Sequence, residues 1–388
     1  MRLLHTSDWH VGRTFHDADL LAEQEAVLDH LADLVVKEAV DVVLVAGDVY
    51  DRAVPSAEAV RVATAAMGRL REAGAQLVIT PGNHDSAARL GAFADFASAG
   101  GLHLRTTIAS LHEPVLIDDE HGPVALYGIP YLEPEPARVA LGVPGARGHT
   151  GVLTEAMRRI RDDLAGRSRG TRSVVLAHAF VTGGVGCDSE RTISVGGVEQ
   201  VPGSVFDGVD YVALGHLHGA QTLAEHLRYS GSPLAYSFSE ASQRKSVWLV
   251  DLDAHGLAGV ERRELPVPRR LATMTGVLAD LLEAPEYTAL TDCFVSATLT
   301  DRVRPLEAMR KLRERFPHAV HVDWEPAGGG ATVLRYAEAV RGRTDTEIAR
   351  TFLDDCRGAP PNERENALLV GALETAGKHD PEQDGDAR

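Results

Sequence analysis

Short apolar runs alternate with helical patterns through the first half of the chain. The runs predict β-strands at Arg2–Ser7, Asp41–Ala46, Gln76–Thr80, Ser173–Ala177 and Tyr211–Leu214, and later at Leu227–Ser230 and Ser246–Asp251. Several of these runs are apolar on both faces, as strands are when helices cover each side of a sheet. Between them, apolar residues recur at helical spacing over 20–35, and Ala57–Glu72 has the pattern of a second helix. The alternation indicates a layered α/β domain.

A smaller unit follows a linker at Glu264–Pro268, where two prolines prevent a helix or a central strand from continuing. Beyond the linker the pattern predicts a helix, a strand, a second helix and a half-exposed strand, at 271–281, Phe294–Leu299, 305–316 and Val320–Trp324. After a break at Gly328–Gly330, two further helical patterns lie around Ile348–Cys356 and Ala367–Leu373. An acidic tail follows, and we expect it to be disordered.

Charge and cysteine content narrow the class of protein. The chain has 39 basic and 56 acidic residues, a net charge of −17, which disfavours binding to nucleic acid by overall charge but leaves room for a local basic surface. An odd number of widely spaced cysteines argues against a disulfide framework or a cysteine zinc site and favours a reducing cytosol: Cys187, Cys293 and Cys356. No stretch approaches the roughly 18 continuous apolar residues of a membrane span. We expect a soluble, cytoplasmic protein.

Five polar motifs each come just after an apolar run. They are Asp8-Trp9-His10, Gly47-Asp48-Val49-Tyr50-Asp51, Gly82-Asn83-His84-Asp85, His178 and Gly215-His216-Leu217-His218. In open α/β sheets, ligands bind beyond the carboxyl ends of the strands. The side chains of these motifs are carboxylates, imidazoles and one amide. Such ligands suit divalent ions such as manganese better than a structural zinc site. The glycines allow the tight turns that would bring these side chains together.

Each motif taken alone has a simpler explanation. Asp8 and Asp48 could be helix N-caps, Asn83 a turn residue and His178 a buried core histidine. Five metal-compatible sets at five predicted strand ends are harder to explain in this way, and together they favour a metal centre. Of the neighbouring residues, Trp9 is interpreted as a packing residue and Asp85 as a helix cap.

The motifs resemble those of the calcineurin-type metallophosphoesterase superfamily, whose pattern is D-x-H, G-D-x-x-D, G-N-H-[DE], H and G-H-x-H. Five segments are similar to the SbcD branch of this superfamily, whose members are bacterial nuclease subunits: Met1–His10, which includes the first motif, Asp188–Arg191, Val195–Gly197, Gly231–Leu234 and Ser237–Glu240. By motif the likeness runs from residue 1 to about Asp251 and is looser beyond. It implies a layered α/β/β/α sandwich with a small α+β capping domain and C-terminal helices.

The resemblance implies two divalent metal ions, Mn²⁺ or alternatively Mg²⁺, with Asp48 bridging them. The first ion would be held by Asp8, His10, Asp48 and His218, and the second by Asp48, Asn83, His178 and His216. His84 matches the catalytic histidine and Asp51 the carboxylate that orients it. Two ions about 4 Å apart neutralise a phosphodiester, activate a shared water and stabilise the attacking and leaving oxygens. An imidazolium at His84 would stabilise charge or protonate the leaving oxygen.

The same resemblance implies a function in DNA end processing, replication, recombination and repair. The chain would be a Mn-dependent nuclease, a 3′→5′ exonuclease on double strands and an endonuclease on hairpins and single strands, and would be nucleoid-associated. It would act with an SbcC-type ATPase, as a homodimer within a heterotetramer. The implied organisation is a nuclease domain over 1–265, a DNA-flanking capping domain over 266–340, a helical partner-binding segment over 341–376 and a disordered tail over 377–388.

Two clusters of basic residues lie at 158–172 and 302–315. Interleaved acidic residues make a solvated face the simplest explanation of both, although the second cluster falls in the unit that would flank DNA. Other functions stay open: a phosphoprotein phosphatase or cyclic-nucleotide phosphodiesterase of the same superfamily, or a non-catalytic scaffold. The modules after the linker favour the nuclease, because a minimal phosphodiesterase has no use for them. The intact motifs argue against the scaffold.

Overall fold

The computed structural model describes residues 1–190, 200–326, 342–357 and 359–376. The chain divides into two compact units, Met1–Leu271 and Ala272–Arg388, a few residues beyond the proline linker. The predicted tail at 377–388 and the predicted break at Gly328–Gly330 lie outside the described residues, as do Arg191 and Val195–Gly197. Among the helices of the described ranges, none has the length and apolar character needed to cross a membrane.

The first unit alternates strands with helices. Its strands are β1 (Arg2–Thr6), β2 (Thr14–Phe15), β3 (Ala18–Asp19), β4 (Val42–Ala46), β5 (Gln76–Thr80), β6 (Leu102–Leu104), β7 (Val115–Asp119), β8 (Gly122–Gly128), β9 (Arg172–His178), β10 (Tyr211–Gly215), β11 (Gln221–Ala224), β12 (Leu227–Tyr229), β13 (Ser246–Asp253) and β14 (Gly256–Glu264). Its helices are α1 (Leu21–Glu38), α2 (Ala57–Glu72), α3 (Ala87–Leu90), α4 (Ala94–Ala99), α5 (Pro134–Ala140) and α6 (Gly148–Ala165), with 3₁₀ turns at Gly203–Phe206 and Phe238–Glu240.

Twelve of these strands form two six-stranded sheets, and β2 and β3 pair with each other. The first has the order β14-β13-β1-β4-β5-β6 and the second β11-β12-β10-β9-β8-β7. In the first sheet β1, β4, β5 and β6 are parallel. In the second sheet β8, β9, β10 and β12 are parallel. Because parallel strands all point the same way, the carboxyl ends of each set lie along one edge of the sheet.

Alternation along the strands explains the layers. Val42 and Leu44 of β4 point into an apolar core shared with Val174 of β9, so this core separates the two sheets. The opposite face of the second sheet packs Val175 of β9 against Met157 of α6. Helices α1 and α2 contact one another, and α2 contacts β5 of the first sheet. The first unit is therefore an α/β/β/α sandwich, as the family resemblance implied.

The second unit is a small α+β module. Its elements are β15 (Leu271–Gly276), α7 (Leu278–Glu283), a 3₁₀ turn (Pro285–Leu290), β16 (Phe294–Leu299), α8 (Ala308–Arg315), β17 (Ala319–Trp324), α9 (Asp345–Arg357) and α10 (Glu363–Ala376). The sheet has the order β15-β16-β17, with β16 and β17 parallel. Its core is formed by residues of the sheet, α7 and α8, among them Met274, Leu281, Val295, Leu312 and Phe316.

Two predictions for this unit are wrong in detail. The helix predicted over 271–281 is instead a strand up to Gly276, with the helix beginning at Leu278. β-Branched Thr273 and Thr275 are exposed and Met274 between them is buried, which is the alternation of a strand. This strand pairs with β16 in the sheet. The next helix begins at Ala308 and not at Pro305, because Glu307 has a φ of 54° and is not helical.

Candidate metal centre

The five motifs come together where strands of both sheets end. Asp8 and His10 follow β1, Asp48 follows β4, and Asn83 and His84 follow β5 in the first sheet. The other three candidate ligands belong to the second sheet: His178 ends β9, and His216 and His218 follow β10. Contacts of β4 with β9 and β10 bring the two sets face to face. All these side chains are buried except Asn83, which is half-buried.

Backbone strain is concentrated at the same loops. Four non-glycine residues of the motifs have positive φ: Asp8 (52°), His10 (45°), Asp48 (49°) and His216 (107°). Such conformations are costly for residues with a Cβ and persist where the surroundings enforce them. Here Asp8 N donates to Gly47 O over 3.1 Å and His10 N to Asp48 O over 3.0 Å, which ties the first loop to the second. The strained backbone therefore turns the candidate ligands inward.

Two glycines of the motifs leave room for the site. A Cβ on Gly82 would lie 2.1 Å from Asp48 Oδ1, and one on Gly47 would lie 2.2 Å from His178 Nδ1. No real side chain tolerates such contacts, so the glycines are required by close approach of the neighbouring ligands. The sequence therefore needs glycine here for the site and not only for the turn.

The first group of candidate ligands surrounds His10. Its Nε2 lies 3.1 Å from His218 Nε2 and 3.6 Å from Asp48 Oδ2. Donor atoms of Asp8, His10 and His218 all lie within 4.8 Å of one another. These are the four residues that the resemblance assigns to one ion.

The second group surrounds His178. Its Nδ1 lies 3.0 Å from Ala46 O and must donate, because a carbonyl oxygen only accepts; Nε2 is then the nitrogen left for a ligand. That Nε2 lies 2.9 Å from Asn83 Oδ1 and 3.4 Å from Asp48 Oδ2. The ring of His216 lies 5.3 Å from that of His178. Asp48 Oδ2 thus faces both groups, which is the position of a bridging carboxylate.

Burial and mutual attraction perturb the ionisation of these groups. Burial raises the pKa of Asp8 to about 6 and lowers the pKa of His216 to about 3. Burial also acts on Asp48 and His178, but their attraction outweighs it: the pKa of Asp48 falls far below its usual range and that of His178 rises to about 9. The pKa of His10 is lowered by burial. A centre of this kind holds ionised carboxylates in a low-dielectric environment, where bound cations would stabilise them.

The donor set fits two divalent cations. Buried carboxylates are costly without a counter-charge, and here two lie among four imidazoles within the same cluster. His10 Nδ1 and Asn83 Nδ2 are buried without a hydrogen-bond partner in the described structure. Carboxylate, amide and imidazole donors, with Asp48 shared between two groups, suit divalent metal ions.

His84 stands beside the centre. Its backbone N–H donates to Asp48 Oδ1 over 2.8 Å, and its ring meets that of His10 edge to face at 4.6 Å. Its Nδ1 donates to the backbone carbonyl of Asp51 over 2.7 Å. The carboxylate that the resemblance assigns to orient His84 lies farther off, with Asp51 Oδ1 4.0 Å from Nδ1. The same carboxylate oxygen lies 3.6 Å from His10 Nδ1 and 3.8 Å from Arg13 Nε.

Asp85 has a role that sequence reasoning missed. Its carboxylate accepts backbone N–H bonds from Val49 (3.0 Å), Tyr50 (2.9 Å) and Gly82 (3.0 Å). It therefore joins the loop after β4 to the loop after β5. Burial and the nearby charge of Asp48 raise the pKa of Asp85 to about 7. The helix cap predicted for Asp85 is wrong, since the side chain of Ser86 caps α3.

Most arginines of the first basic cluster have internal partners. Arg158 and Arg159 pair with Glu155, Arg167 pairs with Asp163, and buried Arg172 pairs with Asp119. This cluster is accounted for by the structure of the first unit. Trp9 likewise packs inside, 1% exposed, with its Nε1 donating to Thr6 Oγ1 over 3.0 Å.

The second cluster is less fully paired. Arg310 of α8 forms ion pairs with Glu307, which precedes the helix, and with Glu314. The side chains of three other residues form no hydrogen bond or ion pair with another described residue: Arg302, Arg304 and Lys311. These basic side chains are therefore available to bind an anion.

Several solved structures are similar to the chain. They include the protein TT1561 of Thermus thermophilus (17% identity, 68% of this chain and 98% of that one, TM-score 0.39) and a dimetal phosphatase from Danio rerio (12%, 68% and 96%, 0.37). A third is GAP50, the anchor in the inner membrane complex of Plasmodium (9%, 85% and 98%, 0.35). These scores are low, and family membership rests on the sequence.

Two family models match the sequence. One, described as Calcineurin-like phosphoesterase, matches residues 1–220. The other, SbcD_C, described as Type 5 capsule protein repressor C-terminal domain, matches residues 267–357. The two matches together support the resemblance to SbcD-type nuclease subunits, and the chain belongs to the calcineurin-like phosphoesterase family.

Proposed function

We propose that the chain is the nuclease subunit of an SbcCD-type complex and hydrolyses phosphodiester bonds at DNA ends and hairpins with Mn²⁺. One observation carries the proposal: an intact two-group phosphoesterase centre and an SbcD_C segment occur in the same chain. The first supplies metal-dependent hydrolysis, and the second is the feature that distinguishes this chain from a minimal phosphodiesterase.

In this proposal Asp8, His10 and His218 hold one ion, and Asn83, His178 and His216 hold the other. Asp48 bridges them, in accord with its distances of 3.6 and 3.4 Å to the two groups. Two ions bound there would polarise a phosphodiester and lower the pKa of a water shared between them. Mn²⁺ is favoured over structural zinc by the mixed carboxylate, amide and imidazole ligands.

His84 is the proposed general acid. Since Nδ1 is committed to the Asp51 carbonyl, Nε2 is the nitrogen that can carry a proton to the leaving oxygen. The Asp51 carboxylate lies close to His10 and Arg13. It would place negative charge near these two residues instead of binding His84 directly.

DNA binding is assigned to the capping domain, residues 266–340. Arg302 and Arg304 are exposed, and both are free of ion pairs with other described residues. Such side chains suit phosphate contacts, which carry most of the affinity for DNA without reading its sequence. Because the chain as a whole has a net charge of −17, we expect DNA to bind only at this local basic surface.

The C-terminal helices, within residues 341–376, are assigned to an SbcC-type ATPase. Helices α9 and α10 contact each other, yet none of their described side chains is buried. Phe352 is 53% exposed and Leu368 68% exposed. A helix pair that leaves Phe352 and Leu368 exposed is suited to dock against a partner helix.

A homodimer is proposed through the first unit. Phe93, which precedes α4, is 76% exposed, and Phe96 within α4 is 84% exposed. Phe93 also lines an apolar cavity of about 670 Å³ with residues of α2. Large exposed aromatic side chains of this kind are characteristic of interfaces. A second copy presenting the same patch would cover them, within a cytoplasmic, nucleoid-associated heterotetramer.

The test is cleavage of end-labelled hairpin and blunt duplex DNA by the full chain, with Mn²⁺, with and without an SbcC-type ATPase. We expect Mn-dependent shortening from 3′ ends and opening of hairpins, stimulated by the partner and ATP. Phe352→Asp should abolish the stimulation but not metal-dependent hydrolysis, whereas Val139→Asp, which changes another exposed residue, on α5, should keep both. Hydrolysis of cyclic nucleotides or phosphopeptides without cleavage of DNA would overturn the proposal.

A further inference from the structure

His218 is attached to a chain of buried side chains that leads away from the centre. Its Nδ1 lies 2.7 Å from Ser189 Oγ, and Ser189 Oγ lies 2.5 Å from Glu240 Oε1. The other oxygen of Glu240 pairs with the ammonium of Lys245. All four residues are buried, with Glu240 only 1% exposed.

The chemistry of these groups fixes the direction of the hydrogen bonds. Glu240, paired with Lys245, is ionised and only accepts, so the one hydroxyl proton of Ser189 goes to Glu240. Ser189 Oγ must then accept from His218, whose Nδ1 carries the proton. Nε2 of His218 is left with its lone pair, and it is this nitrogen that lies 3.1 Å from His10 Nε2.

The backbone of the same residue is held by charged side chains on both sides. His218 N donates to Glu190 Oε1 over 2.7 Å, and Lys245 Nζ donates to His218 O over 2.9 Å. Lys245 also donates to Ser232 Oγ over 3.0 Å. Burying a Glu–Lys pair is costly, and by itself it adds little stability compared with apolar side chains. Here the pair lies at the end of hydrogen bonds that converge on one candidate ligand.

We propose that Glu240 is a positioning residue that acts through Ser189 to select the Nδ1–H tautomer of His218 and to aim its Nε2 at the metal centre. Partners of this kind keep a metal-binding imidazole in one orientation and raise its affinity. The inference rests on the assignment of His218 as a ligand in the proposed function, and not on the identity of the substrate.

The first test needs no metal. Long-range ¹H–¹⁵N spectra of the histidine rings of the metal-free full chain report the tautomer, with His218→Ala used to assign the signals. We expect the Nδ1–H form for His218 in the wild type and in Ser189→Thr, which keeps the hydroxyl. Ser189→Ala and Glu240→Gln should lose it. An unchanged tautomer in a folded Ser189→Ala protein would overturn the inference.

The second test is Mn²⁺ binding followed by the electron paramagnetic resonance signal of the free ion. Ser189→Ala should lower the affinity for one of the two ions by about 10–100-fold and leave the affinity for the other unchanged. Asp119→Asn is the control, because it removes the partner of a buried cation, Arg172, outside the candidate ligands. If His218→Ala binds both ions normally, the ligand assignment fails. If His218→Ala loses one ion but Ser189→Ala loses none, only the positioning role fails.

Discussion

His84 is held by the backbone of Asp51: the ring Nδ1 donates to the Asp51 carbonyl over 2.7 Å, while the Asp51 carboxylate stands 4.0 Å from the same nitrogen. A backbone carbonyl cannot be removed by changing the side chain. The orientation of His84 should therefore survive substitution of Asp51, which only alters the charge near His10 and Arg13.

His84→Ala should keep both metal ions and bind DNA normally but lose turnover. A general acid contributes about 10²–10⁴-fold, so the single-turnover rate should fall within that range. Asp51→Asn should reduce the rate by less, because the carbonyl still holds the ring. Metal content, DNA affinity and single-turnover rate are measured on the same preparations. Loss of metal in proportion to activity would instead make His84 a ligand.

Asp85→Ala should loosen the loops that carry Asp48 and Asn83. Three backbone donors lose their acceptor, and each buried donor left unsatisfied costs about 1–3 kcal/mol. We expect the free energy of unfolding of the metal-free protein in urea to fall by at least about 2 kcal/mol. Ser86→Ala, which removes the neighbouring helix cap, should cost about 1 kcal/mol. Equal losses in the two variants would contradict the bridging role of Asp85.

Gly82→Ala should damage the centre without removing a ligand. The new Cβ would lie 2.1 Å from Asp48 Oδ1 and 2.5 Å from Asp48 N, so the bridging carboxylate must move. We expect Mn²⁺ affinity to fall by about 10–100-fold, as measured by calorimetry. Gly145→Ala is the matched control, since a Cβ added there would meet no atom within 4 Å. Wild-type Mn²⁺ affinity in Gly82→Ala would show that metal binding does not depend on the observed position of Asp48.

Metal binding should release protons in a pH-dependent manner. The pKa of His178 is raised to about 9 in the metal-free protein, so its ring is protonated at pH 7, whereas a metal ligand must be neutral. Mn²⁺ affinity should therefore rise from pH 7 towards pH 9 and level off above it. Calorimetry in two buffers of different ionisation enthalpy should detect about one proton released at pH 7. Release of no proton at pH 7 would contradict the combination of a raised His178 pKa and a ligand role for its ring.

The apolar central strands predicted a layered α/β domain, and the family resemblance added the two-sheet sandwich. Val42–Ala46 and Tyr211–Gly215 are buried at every position, and runs of this kind followed by polar motifs are typical of strands inside a layered α/β domain. The half-exposed strand Leu271–Gly276 has apolar positions that also fit helical spacing, so the pattern alone favours a helix there. The sheet partner that decides between them, β16, lies elsewhere in the chain.

The candidate ligands could be predicted from their motifs, whereas the residues that support them could not. Ser189 and Glu240 lie 29 and 51 positions from their partners, His218 and Ser189, so only the folded chain brings them together. Asp85 precedes a short helix and has the sequence of a cap. Its partners are backbone N–H groups of another loop, and every non-proline residue has such a group, so the sequence does not indicate which ones Asp85 binds.

Asp48 gives the most direct test of the proposed centre. Its Oδ2 faces both ligand groups, so the proposal requires that one carboxylate bridge two ions. The measurement is the number of Mn²⁺ ions bound per chain in wild type and Asp48→Asn, with cleavage of a DNA hairpin followed on the same samples. We predict two ions and cleavage in the wild type, and fewer than two tightly bound ions with no cleavage in Asp48→Asn. Two tightly bound ions and a wild-type cleavage rate in Asp48→Asn would contradict the proposal.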